Sequence, residues 1–541
     1  MLKYRTYLLI ISIISIASAN DVIAISTGAG HSLAIRTDNS VWSWGWNEYG
    51  QLGTNDTFER TIPAKVHGID DIGFLEDVCD IGAGYGFSVA LKCDGTVVAW
   101  GKNDYGQLGD GTYDTSRYTP VYVKDSSGTG IFDDVKKISV GAVHCLALKN
   151  DGSLWSWGSN RQGCLGIGTG DYEPHPLPVR VLDSTGTSFL SGVVDIYAGS
   201  AFSLAIVDDS TNRIYGAVYS WGANNSGQLG NDTILSEYLP HRVLSSDGTE
   251  YLDEISSISG TSEGTFIVNG HCLAIDSDDG SIWSWGRNVN GQLGDGTVIA
   301  KRRPTKVLSA DGTDTLNNIL KICAAMEHSI ALTQDSIVLA WGDNHYGQLG
   351  INSSSDTALP VQVHGAEDIG ILDEIVEISA SHCHNLALKF DGTLWAWGKN
   401  EHGQIGDGTT ITRYFPVQVF FEPLEVKQDD NFIPDNIDII VHPNPFNSSC
   451  AIDLPLNAEI FIRDLKGNLI YKFSGEKTLC SRYDEKSSAD GENFYHRENN
   501  SEHQTRTIVW TPDKNTPSGI YIISAKLDGN GNLFKKIMYI K

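Results

Sequence analysis

The stretch WSWGWNEYGQLG, Trp42 to Gly53, decides how this chain is read. It returns as VVAWGKNDYGQLG, LWSWGSNRQGCLG, VYSWGANNSGQLG, IWSWGRNVNGQLG, VLAWGDNHYGQLG and LWAWGKNEHGQIG. The Trp before the first Gly falls at Trp44, Trp100, Trp157, Trp221, Trp285, Trp341 and Trp397, at spacings of 56, 57, 64, 64, 56 and 56 residues. Seven copies this regular define a repeat. Around each copy the order of segments is constant. A β-branched run such as VCDIGAG comes first, then one like HSLAI or HCLAL, a turn such as NDG or FDG, the Trp run, the WGxNxxGQLG loop, and a closing TPVYV or LPVQV. Short apolar runs divided by Asp-Gly and Pro signals predict antiparallel strands.

The Trp run shows how the units pack. Before each Trp stand Ser or Ala, then Trp, Val, Tyr or Leu, then Val, Leu or Ile. Alternate strand residues face opposite sides, and here both sides avoid charge. A strand covered on both faces by neighbouring sheets predicts seven four-stranded sheets around an axis, a seven-bladed β-propeller over residues 20–421. The first unit lacks a preceding Pro-Val strand, and Phe415 to Val419 has no unit after it. The expectation is that this last strand completes the first blade and leaves no open edge.

HSLAI, the DG turn and WGxNxxGQLG together resemble the repeat of the regulator of chromosome condensation family, over about 400 residues. That resemblance implies the seven-bladed propeller and partner binding through its loops. The founding member catalyses nucleotide exchange on a nuclear GTPase. Secreted bacterial β-lactamase-inhibitor proteins carry a similar repeat.

The flanks add a route. Lys3 and Arg5, the apolar run Tyr7 to Ile16 and the small residues Ala17-Ser18-Ala19 read as a signal peptide, residues 1–19, cleaved after Ala19. Residues 422–436 are acidic and Pro-containing, and read as a linker. Residues 437–541 alternate apolar strands with Gly and Asn turns, which predicts a small immunoglobulin-like β-sandwich. Its PNPFN, SGIYI and terminal KKIMYIK resemble C-terminal sorting domains of bacterial type IX secretion. That resemblance implies a secreted protein or one on the outer cell surface.

A net charge of −28 argues against nucleic acid as the main partner, since phosphate binding needs a basic surface. No stretch of the mature chain reaches transmembrane length. Nine cysteines include Cys145 and Cys272 in place of the Ser of HSLAI, and Cys164 in place of a Gln. The expectation is packed thiols rather than a disulfide framework, with the pairing of Cys450 and Cys480 left open.

Candidate chemistry is sparse. His31, His144, His271, His328 and His384 recur, but Phe87 and Phe202 take the same place in units two and four, so a packed ring explains them better than a metal. His382-Cys383-His384 would face opposite sides of a strand. Gly260-Thr261-Ser262-Glu263-Gly264 matches a nucleophile pattern without the helix it needs, and Asp276, Asp278 and Asp279 read as a turn rather than a calcium loop. No catalytic residue, cofactor or metal is expected. The invariant Gly and Asn of WGxNxxGQLG read as turn framework. The freely varying positions read as exposed, and aromatics gather there in units six, seven, one and two. The candidate partner-binding residues are Trp46, Glu48, Tyr49, Asp104, Tyr105, His345, Tyr346, Glu401 and His402. The expected function is non-enzymatic protein binding by a monomer. Carbohydrate binding and a guanine-nucleotide-exchange role are the alternatives.

Overall fold

The computed structural model describes residues 21–209, 211, 213–262 and 269–421, together with strand segments between 440 and 539. The signal segment 1–19 and Cys480 lie outside the described residues. The chain divides into two units, 1–423 and 424–541.

The first unit holds seven four-stranded antiparallel sheets. Blade 1 comprises β1 (Val22–Thr27), β2 (His31–Arg36), β3 (Val41–Gly45) and β4 (Arg60–Lys65), paired in chain order. Blades 2 to 7 repeat this at 78–122, 135–180, 193–242, 255–306, 319–362 and 375–418. In such a meander, the turn after the first strand and the loop after the third lie at one end of every blade. We call that end the loop face. The turn after the second strand lies at the other end, where an Asp side chain accepts from the backbone two residues on. Examples are Asp94 from Thr96 N at 2.9 Å and Asp279 from Ser281 N at 2.8 Å. Asp279 is thus a turn residue, as expected.

The expected exchange of the last strand does not occur. The fourth strand of blade 7 (Arg413–Gln418) pairs with the Trp strand of its own unit, Trp395 opposite Gln418 and Gly398 opposite Arg413. Blade 1 likewise takes its fourth strand from its own unit, with Trp42 opposite Lys65. The pairing is local because the WGxNxxGQLG loop turns the chain back directly onto the Trp strand. Blade 7 packs on blade 1 without exchanging a strand: Leu386, Leu394 and Ile405 cluster with Ala34 and Trp44, and the residues after the fourth strand join them. Val419 is buried with Trp44, and the Phe421 ring lies 5.6 Å from Trp42 and 6.0 Å from Trp44. Phe132 does the same for Trp155 and Trp157 within the ring.

Each interface between blades has its own core, and all seven Gly-preceding Trp residues are fully buried. A hydrogen-bonded latch repeats with them. The indole N–H of Trp100 donates to the Gln51 carbonyl of blade 1 at 2.8 Å, and Ser88 Oγ donates to the same oxygen at 2.9 Å. Trp157, Trp221, Trp285, Trp341 and Trp397 repeat this on the loop of the preceding blade. At the seam Trp44 donates to Gln404 O at 2.9 Å and Ser32 Oγ to the same atom at 3.0 Å. The ring is therefore closed by the same latch that joins every other pair of blades.

A second expectation fails at Cys79 and Cys93, which form a disulfide. The sequence offered no equivalent pair in other units to reveal it. Cys79 lies in the first strand of blade 2 (Val78–Ala83) and Cys93 just after the second (Phe87–Lys92). Both side chains are exposed, and 14 residues separate them. A loop of that length is worth about 3 kcal/mol. Cys93→Ser is expected to lower stability by roughly 2–3 kcal/mol in denaturant titration, and reductant should reproduce the loss in the parent chain. Cys145, Cys164 and Cys272 are buried thiols, as expected.

In the second unit the described strands pair as two four-stranded antiparallel sheets and a two-stranded one, Lys486–Ser487 with Asn493–Phe494. Of the four-stranded sheets, one contains Cys450–Pro455 and Thr505–Trp510, and the other Glu459–Asp464 and Gly519–Lys526.

Candidate functional site

The loop face is built on fixed parts. Gly45 has φ +102°, and a Cβ there would lie 2.4 Å from the Gly30 carbonyl oxygen. The Asn of each loop ties it internally, its Oδ1 accepting from the Leu or Ile backbone five residues on; Asn47 takes Leu52 N at 3.0 Å and Asn400 takes Ile405 N at 2.9 Å. Gln51 Oε1 accepts from Tyr49 N at 2.9 Å, and the Gln of five other loops acts alike. These Asn and Gln side chains are buried, whereas the variable residues between them reach solvent.

Four consecutive loops make one ridge. Its rule is that the third variable residue of one blade meets the first variable residue of the next. Tyr346 of blade 6 carries Lys399 Nζ 5.0 Å from its ring centre. His402 of blade 7 lies 5.8 Å from Trp46, with ring planes 33° apart. Tyr49 of blade 1 carries Lys102 Nζ at 4.6 Å. Trp46 sits at the middle, edge-on to Tyr49 at 5.4 Å and Tyr85 at 5.7 Å. Among the expected residues, Trp46, Tyr49 and His402 are thus in one cluster. His345 meets Tyr346 edge-on at 4.8 Å. Asp104 and Glu401 are ion-paired to Lys102 and Lys399, at 3.1 and 2.9 Å. Glu48 is exposed and has no ionic partner among the described residues. Tyr105 makes no ring contact with the cluster among those described.

The sequence reading missed Lys102, Lys399, Tyr85 and Glu59. The two lysines occupy the place directly after Trp-Gly, whose backbone N–H is held by the preceding turn: Lys102 N donates to Gly86 O, and Lys399 N to Cys383 O. That place varies freely, which was the available signal. Tyr85 comes from the turn after the first strand of blade 2, and Glu59 binds His402 Nδ1 at 2.6 Å.

The recurring histidines are structural. Ser88 Oγ gives its proton to Gln51 O, so it must accept from His31 Nε2–H, 2.9 Å away. His144 meets Ser203, His271 meets Ser329, His328 meets Asn385 Oδ1, and His384 meets Ser32. Burial without a counter-charge lowers His31, His144, His271 and His384 to about 3 and His328 to about 4. Phe87 and Phe202 have no polar group to satisfy, and the next blades present Cys145 and Cys272 where the others present Ser or Asn. The His–Ser and Phe–Cys choices are coupled across the interface. His382 and Cys383 are not on a strand, as the sequence suggested, but in the turn between Ile375–Ser381 and His384–Lys389, and no group of three potential ligands is found among the described residues.

Of the nucleophile-like pattern, Glu263 and Gly264 lie outside the described residues, and Ser262 is described. The strand Ile255–Gly260 ends just before it, and its buried hydroxyl lies 3.5 Å from Ser381 Oγ of blade 7. The described neighbour His271 is engaged by Thr261 and Ser329. Two shallow cavities, of about 480 and 320 Å³, lie on the rim in equivalent grooves of blades 3 and 4, away from the ridge. No helix is long and apolar enough to cross a membrane among the described residues.

The RCC1-like domain matches residues 9–269, and the regulator of chromosome condensation (RCC1) repeat matches 279–332, 335–388 and 391–428. The chain is 31% identical over 403 residues to the ultraviolet-B receptor UVR8 of Arabidopsis thaliana, covering 74% of this chain and 82% of that protein. It is 29% identical over 309 residues to the human E3 ubiquitin-protein ligase HERC2, covering 57% of this chain but 6% of that much longer protein. Among solved structures, Prp20p of Saccharomyces cerevisiae superposes with a TM-score of 0.55 at 20% identity, over 75% of this chain and 87% of that one.

Proposed function

This chain belongs to the regulator of chromosome condensation (RCC1) family, and from that premise we propose that it is a non-enzymatic binding protein, secreted or held at the cell surface. Its binding site is the ridge over blades 6, 7, 1 and 2. The observation that carries this reading is the ridge itself: variable residues of four successive loops meet from blade to blade, ring on ring at Trp46 and lysine over ring at Tyr49 and Tyr346, on a frame whose fixed residues are buried. Aromatic side chains dominate the energetics of protein interfaces. Prp20p, the structural relative, is described by its binding to Gsp1p and histones, which supports protein partners for this fold.

Export is supported by two features. The exposed Cys79–Cys93 disulfide suits an oxidising compartment, and residues 1–19 have signal-peptide character. The PNPFN and SGIYI motifs and the paired strands of residues 440–539 support a sorting or anchoring sandwich at the C-terminus.

The test is capture of partners from the producing cell's exported and surface proteins, with the parent chain and a Trp46→Ala, Tyr49→Ala, Tyr346→Ala variant. Capture by the variant should fall at least about tenfold, with near-ultraviolet circular dichroism retained. Unchanged capture would remove the ridge from the function. A glycan array run beside it separates carbohydrate binding.

A further inference from the structure

We propose that the ridge takes an arginine-bearing segment of its protein partner, with the guanidinium on Trp46 and against Glu48. This rests on the protein-binding reading above and adds the chemistry of the partner.

The ridge already shows what its faces hold. Lys102 lies over Tyr49 and Tyr85, and Lys399 over Tyr346. Each lysine is neutralised within its own loop, by Asp104 and Glu401. Trp46, the largest ring and the central one, carries no cation of this chain in any described ring contact. Beside it the carboxylates outnumber the cations. Glu48 has no ionic partner among the described residues, and Glu59 is held by His402 alone. The local excess is negative, and so is the whole chain at −28. An anionic partner would be repelled here, and an uncharged one would leave Glu48 without a counter-charge. A guanidinium satisfies both features at once, because its plane stacks on an indole while its edge forks to a carboxylate. An ammonium can also meet a ring and a carboxylate, as Lys102 and Lys399 do, but as a point charge without the flat face and the forked donors of a guanidinium.

Three short peptides of equal length, alternating Gly with Arg, Lys or Glu, test this on the immobilised full chain at low and moderate salt. The Arg peptide should bind several-fold more tightly than the Lys peptide, and the Glu peptide should not bind. Trp46→Ala and Glu48→Lys should each weaken the Arg peptide about tenfold. Glu48 is exposed, so Glu48→Lys keeps the fold. A general attraction to a chain of charge −28 would survive both changes. Equal binding of the Arg and Glu peptides, or Arg binding indifferent to both substitutions, overturns the proposal. If that happens while partner capture still depends on Tyr49 and Tyr346, protein binding stands and only the arginine assignment falls. If capture is indifferent as well, both fall.

Discussion

Lowered from pH 7, the propeller is expected to unfold cooperatively near pH 5.5, well above the range in which most carboxylates titrate. The cause is the set of buried histidines. His31, His144, His271 and His384 are held to about 3, and His328 and His382 to about 4. Burial is the largest cause in each case. The unfolded chain would bind protons at these groups with a pKa near 6.5. Folded values are depressed, so the unfolded state holds more protons between about 6.5 and 3. Stability from these groups is complete above 6.5 and is lost as the pH falls. At pH 5.5 each group costs about 1.4 kcal/mol, and six cost about 8 kcal/mol. That is comparable to the whole stability of an ordinary domain, about 5–15 kcal/mol. Tryptophan fluorescence and circular dichroism followed against pH would report the midpoint. The chain itself contains the control. His31→Phe with Ser88→Cys copies the Phe87–Cys145 pairing and should move the midpoint down by about 0.2 pH unit. A parent midpoint below pH 4 would mean that these imidazoles are not held neutral.

Trp44→Ala is expected to cost roughly 4 kcal/mol, and Trp44→Phe about 1 kcal/mol. The alanine empties a fully buried site at the seam and removes the donor to Gln404 O. The phenylalanine keeps most of the packing and loses only that donor, while Ser32 still satisfies the carbonyl. Trp221 and Trp285, inside the ring, have the same burial and the same bond to the preceding loop, at 2.8 Å each. The three Trp→Phe variants should therefore agree within about 0.5 kcal/mol in urea unfolding. A much larger loss at Trp44 would mean that the seam is joined differently from the other interfaces.

Much of this was legible in the sequence. Seven copies of one pattern gave the blades, and the uncharged Trp run gave their stacking. The exchange of Phe for His correctly marked a packed position. The seam was not legible, because both units contain a suitable fourth strand and periodicity does not say which neighbour it joins. The answer lies in the loop, whose internal Asn and Gln bonds return the chain to its own Trp strand. Cys145 and Cys272 read as small substitutes when taken alone. Their pairing with Phe87 and Phe202 exists only across an interface. The ridge was half legible for the same reason. Tyr49 and Trp46 stand out in one window, but Lys102 and Lys399 matter through the ring each meets in the preceding blade.

The seam latch also governs how the chain comes into being. Trp44 and its acceptor Gln404 are separated by 360 residues, so the first blade emerges from the ribosome long before the group that covers it exists. Throughout synthesis its Trp44 side faces solvent, as does the open side of whichever blade has most recently formed. A growing arc of blades therefore always has two sticky ends, and only release of residues near Val419 lets them find each other. Polypeptides stalled or clipped before that point should be the ones that associate end to end, each lending its last loop to the first blade of another.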